Sequence, residues 1–186
     1  VAGFVHGVLN TDNMNISGES FDYGPWRFLP QWDPGFTAAY FDHQGLYAFG
    51  RQPEALHWNC GQFAIALRLL ADAPPLIAAM ERFGPLYMEA IGRRWCWRLG
   101  VASRGPEGDA AVVAASEKAL SETGVAPDRF FFTHRAGRAA EGDLADALAG
   151  YEPLASTPLT LPTVHPASLP DIARLAQHSP DYSQQA

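Results

Sequence analysis

The residues best suited to chemistry lie in one stretch, HGVLNTDNMNISGESFDYGP, residues 6–25. It holds His6, the two aspartates Asp12 and Asp22, and an amide, Asn13, directly after the first of them. Carboxylate and amide oxygens are hard donors. One or two of them, with water and phosphate oxygens, make the shell that Mg²⁺ prefers. A further carboxylate beside such a pair can take a proton from an attacking hydroxyl. These types in this order suit transfer of a phosphorus-centred group from a nucleotide, with Asn13 and Asp22 as candidate metal ligands. Each piece alone has a plainer reading. Asn-Thr-Asp-Asn and Asp-Tyr-Gly are both ordinary turn sequences, because Asn, Asp and Gly tolerate left-handed backbone.

The order of the pieces is that of a protein-kinase catalytic loop. Kinases carry H-R-D-x-x-x-x-N, then a short strand pair, then D-F-G; the first Asp accepts the substrate proton, and the Asn and the second Asp hold Mg²⁺. Here His6 aligns with the motif His, Asn13 with the motif Asn, and Asp22-Tyr23-Gly24 with D-F-G. Val8 stands where the kinase base belongs, and valine cannot take a proton. Either the fold is a dead kinase, or Asp12 has taken the base role from a shifted position.

The elements that must position this stretch are mostly helical. Residues 1–5 read as the end of a buried apolar element, Met14–Ile16 as a short extended segment, and 17–20 as a turn. Residues 24–53 combine Pro, Gly, Asp and many aromatics, the composition of an ordered irregular loop rather than of disorder. Leu56, Cys60, Phe63, Leu67 and Leu70 recur at alternating four- and three-residue spacings, one face of a helix. Pro74-Pro75 breaks it. Leu76, Met80, Phe83, Tyr87 and Ile91 line a second helical face, with a break expected near Gly84-Pro85. SRGPEG, 103–108, reads as a linker, and 109–124 as a third helix stopped by Gly124. Residues 128–140 read as an Arg-rich helix, 143–148 and 171–177 as short helices, and 152–170 as irregular.

With WDPGF (32–36), DHQGLYAFGRQP (42–53) and ALHWN (55–59), the stretch resembles selenoprotein O, the kinase-like protein adenylyltransferase family. The likeness is dense from Gly3 to Leu70. Beyond that, RRWCWRLGV (93–101) and DRFFFTHRAGRA (128–139) resemble later helices of that family. The resemblance implies that Asp12 is the catalytic base, that Asn13 and Asp22 bind Mg²⁺ (Mn²⁺ being a possible substitute), and that Asp22 also contacts ATP. It further implies a flipped nucleotide and transfer of AMP to Ser, Thr or Tyr hydroxyls of partner proteins. The expected fold is mainly α, α+β overall: the C-terminal lobe of a protein-kinase-like fold with a few short strands around the metal-binding loop. The expected division is a kinase-like lobe over 1–150, with its helical core at 54–150, and a Pro/Ser/Thr-rich extension over 151–186. No Gly-rich phosphate loop precedes His6, and the chain starts with Val1, so a longer protein with an N-terminal lobe is expected. Residues 1–186 alone are then expected to be inactive, or to act only as an interaction module.

Composition sets outer bounds. The 186 residues are 47% hydrophobic and 18% charged, with net charge −7, a soluble globular class. The acidic balance argues against nucleic acid or an anionic membrane as partner. No apolar run approaches the ~18 residues of a membrane span. Cys60 and Cys96 read as free thiols, which implies a reducing compartment: the bacterial cytoplasm, or a mitochondrion in a eukaryote. His6 and the Asp42-His43 pair read as loop braces, Asp33-Pro34-Gly35 as a turn, and the five tryptophans as core. Arg93, Arg94, Arg135 and Arg138 read as solvated helix faces.

Overall fold

Two short strands bracket the chemistry-bearing stretch. β1 (Phe4–Val5) pairs antiparallel with β2 (Arg27–Phe28), in the register Phe4 to Phe28 and Val5 to Arg27. Between them Met14 bridges Ser20, and the Asn15–Glu19 backbone closes the expected turn. The computed structural model describes residues 1–154, which form one unit. The helix expected over 171–177 and most of the 151–186 extension lie outside the described residues.

Residues 29–48 are irregular but braced by their own side chains, and Phe49–Arg51 make a 3₁₀ turn that leads into the helices. The Asp33 carboxylate accepts the Gly35 N–H at 2.8 Å, the expected turn. Both oxygens of Asp42 accept backbone N–H groups, of Leu46 and Tyr47, so Asp42 braces its loop as read.

Six α-helices follow in the described residues: α1 (Gln52–Leu67), α2 (Ala73–Glu81), α3 (Phe83–Leu99), α4 (Pro106–Thr123), α5 (Pro127–Thr133) and α6 (Gly142–Leu148). The mainly helical expectation holds. Several boundaries differ for local reasons. The break expected at Gly84-Pro85 falls instead at Arg82, which caps α2. Pro85 sits in the first turn of α3, where no intrahelical N–H partner is lost. The supposed linker 103–108 supplies the first turn of α4, because Pro106 is pre-set for a helix start. Gly124 ends α4 at φ 61°, in the left-handed cap that glycine favours. The helix read over 128–140 stops at Thr133 and gives way to a single 3₁₀ turn, Arg135–Gly137.

The main core gathers Trp95, Cys96, Leu99, Val112, Leu120, Phe130, Phe131, Leu144 and Leu148 from α3 to α6. A smaller cluster of Val5, Leu29 and Ala38 lies under the β1–β2 segment. Trp32 packs against both clusters, with its ring 5.6 Å from Trp95 and 5.1 Å from Phe49. It ties the strand region to the helical core. Trp26, Trp58 and Trp97 are each about half exposed, so the core reading fails for these three. The α1 stripe is also not a core face. Phe63 is about half exposed and Leu70, beyond the helix end, is 85% exposed. The buried residue of α1 is Asn59.

At the start of α4, Asp109 is 1% exposed. Its carboxylate accepts hydrogen bonds from Ser103 Oγ, the Arg104 N–H, Tyr151 OH and Cys96 Sγ. Burial pushes this carboxyl up, but these donors outweigh burial and hold it below the ordinary carboxylate range. Cys96 is a free thiol, pushed up to about 12 by burial and by its bond to Asp109. Cys60 is free as well. Residues 151–154 run beside 100–102, with Ala102 N–H on Glu152 O and Leu154 N–H on Gly100 O.

Candidate functional site

The backbone of residues 6–8 runs against that of residues 23–25. The Gly7 N–H donates to Tyr23 O at 2.8 Å. The approach is so close that a Cβ on Gly7 would lie 2.6 Å from Pro25 Cδ and 2.7 Å from Pro25 N. Only a residue without a side chain fits there. Tyr23, the middle residue of Asp-Tyr-Gly, packs edge-on against Phe4 at 5.5 Å and His6 at 5.6 Å between ring centroids.

His6 is buried and holds three parts of the loop. Its Nδ1 accepts the Val8 N–H at 3.2 Å, and its Nε2 lies 2.7 Å from Ser20 Oγ. With Nδ1 as acceptor, the ring proton sits on Nε2 and points to Ser20. Ser20 Oγ in turn lies 2.8 Å from Asn13 O and 3.3 Å from Asp22 O. One hydroxyl therefore joins the backbones of Asn13 and Asp22. Burial lowers the His6 pKa below the ordinary imidazole value, against a smaller opposing pull from Asp22. A neutral ring that both accepts and donates is a brace, as the sequence suggested.

Asn13 closes a 3₁₀ turn, Thr11–Asn13. Its Nδ2 donates to Val8 O at 2.9 Å, which fixes the amide and leaves Oδ1 without a protein donor among the described residues. Asp22 Oδ1 accepts the Gly24 N–H at 2.8 Å, leaving Oδ2 free of protein hydrogen bonds among the described residues. Each side chain thus keeps one hard oxygen free, the donor type that Mg²⁺ takes alongside phosphate and water. Among the described residues no three His, Cys, Asp or Glu side chains gather into a self-sufficient metal site. Asp12 is exposed, and its carboxylate makes no hydrogen bond among those residues. The Tyr47 hydroxyl is pushed up first by burial and then by the Asp42 and Asp12 carboxylates.

Two residues of α1 also reach this loop, and neither stood out in the sequence. Gln52 Oε1 accepts the His6 N–H at 2.9 Å, and its Nε2 donates to Phe4 O at 3.1 Å. The amide thus pairs with β1 as a neighbouring strand would. Asn59 Nδ2 donates to Leu9 O at 2.9 Å. Ser20 was likewise missed.

Comparison with known proteins bears on this geometry. A family model described as protein adenylyltransferase SelO matches residues 1–149. The chain belongs to the SelO family. Among its relatives, a protein nucleotidyltransferase YdiU of Trichodesmium erythraeum is 37% identical over 153 residues, 81% of this chain and 32% of the relative. A YdiU of Vibrio atlanticus is 41% identical over 134 residues, 70% of this chain and 27% of the relative. A third, from Synechococcus elongatus, is 48% identical over 99 residues, 53% of this chain and 20% of the relative. The chain thus spans about a third or less of the length of these SelO relatives. The matched segment includes the whole loop from His6 to Gly24 and helices α1 to α6. Among the described residues no helix is long and apolar enough to cross a membrane.

Proposed function

We propose that the full-length protein transfers AMP from ATP to Ser, Thr or Tyr hydroxyls of other proteins and releases pyrophosphate. The described unit is the C-terminal lobe of a kinase-like fold, working in the bacterial cytoplasm. Family membership and the bacterial relatives' name, protein nucleotidyltransferase, support nucleotidyl transfer. One observation supports the assignment of roles. Val8, at the kinase base position, offers the loop backbone groups alone: its N–H donates to His6 Nδ1, and its carbonyl accepts from the Asn10 N–H and from Asn13 Nδ2. Asp12 is the one carboxylate between His6 and Asn13, and it is exposed.

Asp12 accepts the proton of the incoming hydroxyl as its oxygen attacks the α-phosphorus. The bond from that phosphorus to the bridging oxygen breaks, and pyrophosphate leaves. Asn13 and Asp22 would hold Mg²⁺, or Mn²⁺ in its place, and Asp22 would also orient ATP. When bound, the ion neutralises charge on the phosphates. His6 and Ser20 keep the Asn13 and Asp22 backbones together and move no proton to substrate.

The same metal pair suits phosphoryl transfer, which makes a kinase the second reading. Intact-mass analysis of an acceptor protein incubated with the full-length enzyme, ATP and Mg²⁺ separates the two. A gain of one AMP supports the proposal. A gain of one phosphate, or none, refutes it.

A further inference from the structure

Asn59 sits in ALHWN, a motif to which the chemistry above gives no role. It is 4% exposed and is the buried residue of α1. Its Nδ2 donates to Leu9 O at 2.9 Å and also meets Met14 Sδ at 3.1 Å. Leu9 and Met14 are the two ends of the segment that carries Asp12 and Asn13. One amide nitrogen, with its two hydrogens, therefore grips both ends of the proposed catalytic turn. The other side of that amide has no partner: Asn59 Oδ1 is buried without a hydrogen bond in the described structure. A buried acceptor left without a donor costs stability, and an apolar side chain of the same shape would avoid that cost. Asn59 is thus poorly explained as a packing residue and well explained by what its nitrogen holds.

We propose that Asn59 is a positioning residue, whose amide sets the register of the Leu9–Met14 turn, and so of Asp12 and Asn13, on α1. The inference rests on the reading of Asp12 and Asn13 given above. Gln52 grips the chain seven residues earlier on the same helix, so α1 holds the loop at two points, before and within its chemistry-bearing part. A turn tied to α1 through the Leu9 backbone, with the Met14 side chain resting on the same amide, resists displacement of Asp12 relative to α1. Misplacing a reacting group by about 1 Å can cost on the order of 10²-fold in rate.

The test uses the full-length protein carrying Asn59→Leu or Asn59→Asp. Leucine keeps the branched shape at Cγ and removes both the grip and the orphan oxygen. Its expected signature is a near-native thermal midpoint, a nearly unchanged KM for ATP, and kcat lowered by about 10- to 100-fold. Hydrogen exchange read in the same protein should show faster exchange of the 9–14 amides, with the core amides of α3 unchanged. Aspartate offers no donor when ionised and regains one when protonated. Burial raises the pH at which that change occurs, so Asn59→Asp should gain kcat on acidification over a range where the wild type does not. If the leucine variant does not fold, this pH profile and the loop exchange of the aspartate variant decide the matter. Wild-type kcat and wild-type loop exchange in Asn59→Leu would overturn the inference, as would a kcat loss that only tracks lost folded protein. Absence of AMP transfer by the unmutated full-length protein would instead overturn the proposed function. Loop exchange would still report on Asn59.

Discussion

The side-chain nitrogen of Asn13 lies 2.9 Å from the carbonyl oxygen of Val8. The position that carries a base in kinases here contributes backbone alone, and it does so by orienting the proposed metal-binding amide. Asn13→Leu removes the oxygen ligand and the Val8 bond together. Asn13→Asp keeps an oxygen ligand but turns an acceptor toward an acceptor. Both should weaken Mg²⁺-dependent nucleotide binding, measured by calorimetric titration at fixed ATP, with the leucine variant the weaker.

Asp12 and Asp22 should separate in kinetics. Asp12→Ala in the full-length protein should lower transfer by about 10²–10⁴-fold, with ATP affinity kept, because Asp12 acts on the acceptor hydroxyl. Asp22→Ala should weaken both ATP–Mg²⁺ binding and transfer, because it removes a carboxylate from the metal. Nucleotide titrations beside initial rates check the split. Equal loss of ATP affinity in both variants contradicts it.

His6 predicts an acid-sensitive loop. Its folded pKa is lowered by burial, so the unfolded chain binds the proton more readily. The stability it contributes is complete above the unfolded imidazole pKa of ~6.5 and is lost as pH falls below that value toward the folded one. The physical event is specific. A proton on Nδ1 would meet the Val8 N–H, donor against donor. Denaturant midpoints measured across this range should fall on acidification, and His6→Gln should flatten that limb.

Gly7→Ala should be costly although glycine is not needed there for its dihedral angles. The added methyl would collide with the backbone nitrogen of Pro25, which cannot rotate away. Relief requires 6–8 and 23–25 to part, breaking the Gly7 to Tyr23 bond and moving Asp22. A loss of about 1–3 kcal/mol by equilibrium unfolding, together with weaker ATP–Mg²⁺ binding, is the expected outcome.

Asp109 tests the helical scaffold. Asp109→Asn replaces an acceptor of four hydrogen bonds with an amide that has one oxygen, stranding buried donors. We expect a loss of about 2–4 kcal/mol by equilibrium unfolding. Because its folded pKa is lowered, the stability it contributes is complete above the unfolded value of ~3.9 and is lost as pH falls through the folded value. This acid limb lies well below that of His6, so the two are resolvable in one pH series.

Much of this was legible in the sequence because it is local. The turns at Asp33, Asp42 and Asn15–Glu19 are written in neighbouring residues, as is the stop at Gly124. The proposed site residues were found the same way, through motif order within one stretch. What escaped depends on distant pairing. Gln52 and Asn59 meet the loop across 46 to 50 residues of chain, and nothing in ALHWN says which backbone its amide will hold. The α1 stripe misled for the related reason that periodicity marks an apolar face without saying what covers it. Pro85 and Pro106 misled because proline ends a helix in its interior but begins one in its first turn.

The central claim is that Asp12 directs a hydroxyl to the α-phosphorus. The most direct measurement gives the full-length protein and its Val8→Asp variant ATP labelled at either the α- or the γ-phosphorus and follows label into an acceptor protein. Both proteins should transfer α-label and no γ-label, with α-labelling lost in Asp12→Ala. Transfer of γ-label by the Val8→Asp protein, or undiminished α-label from Asp12→Ala, would contradict it.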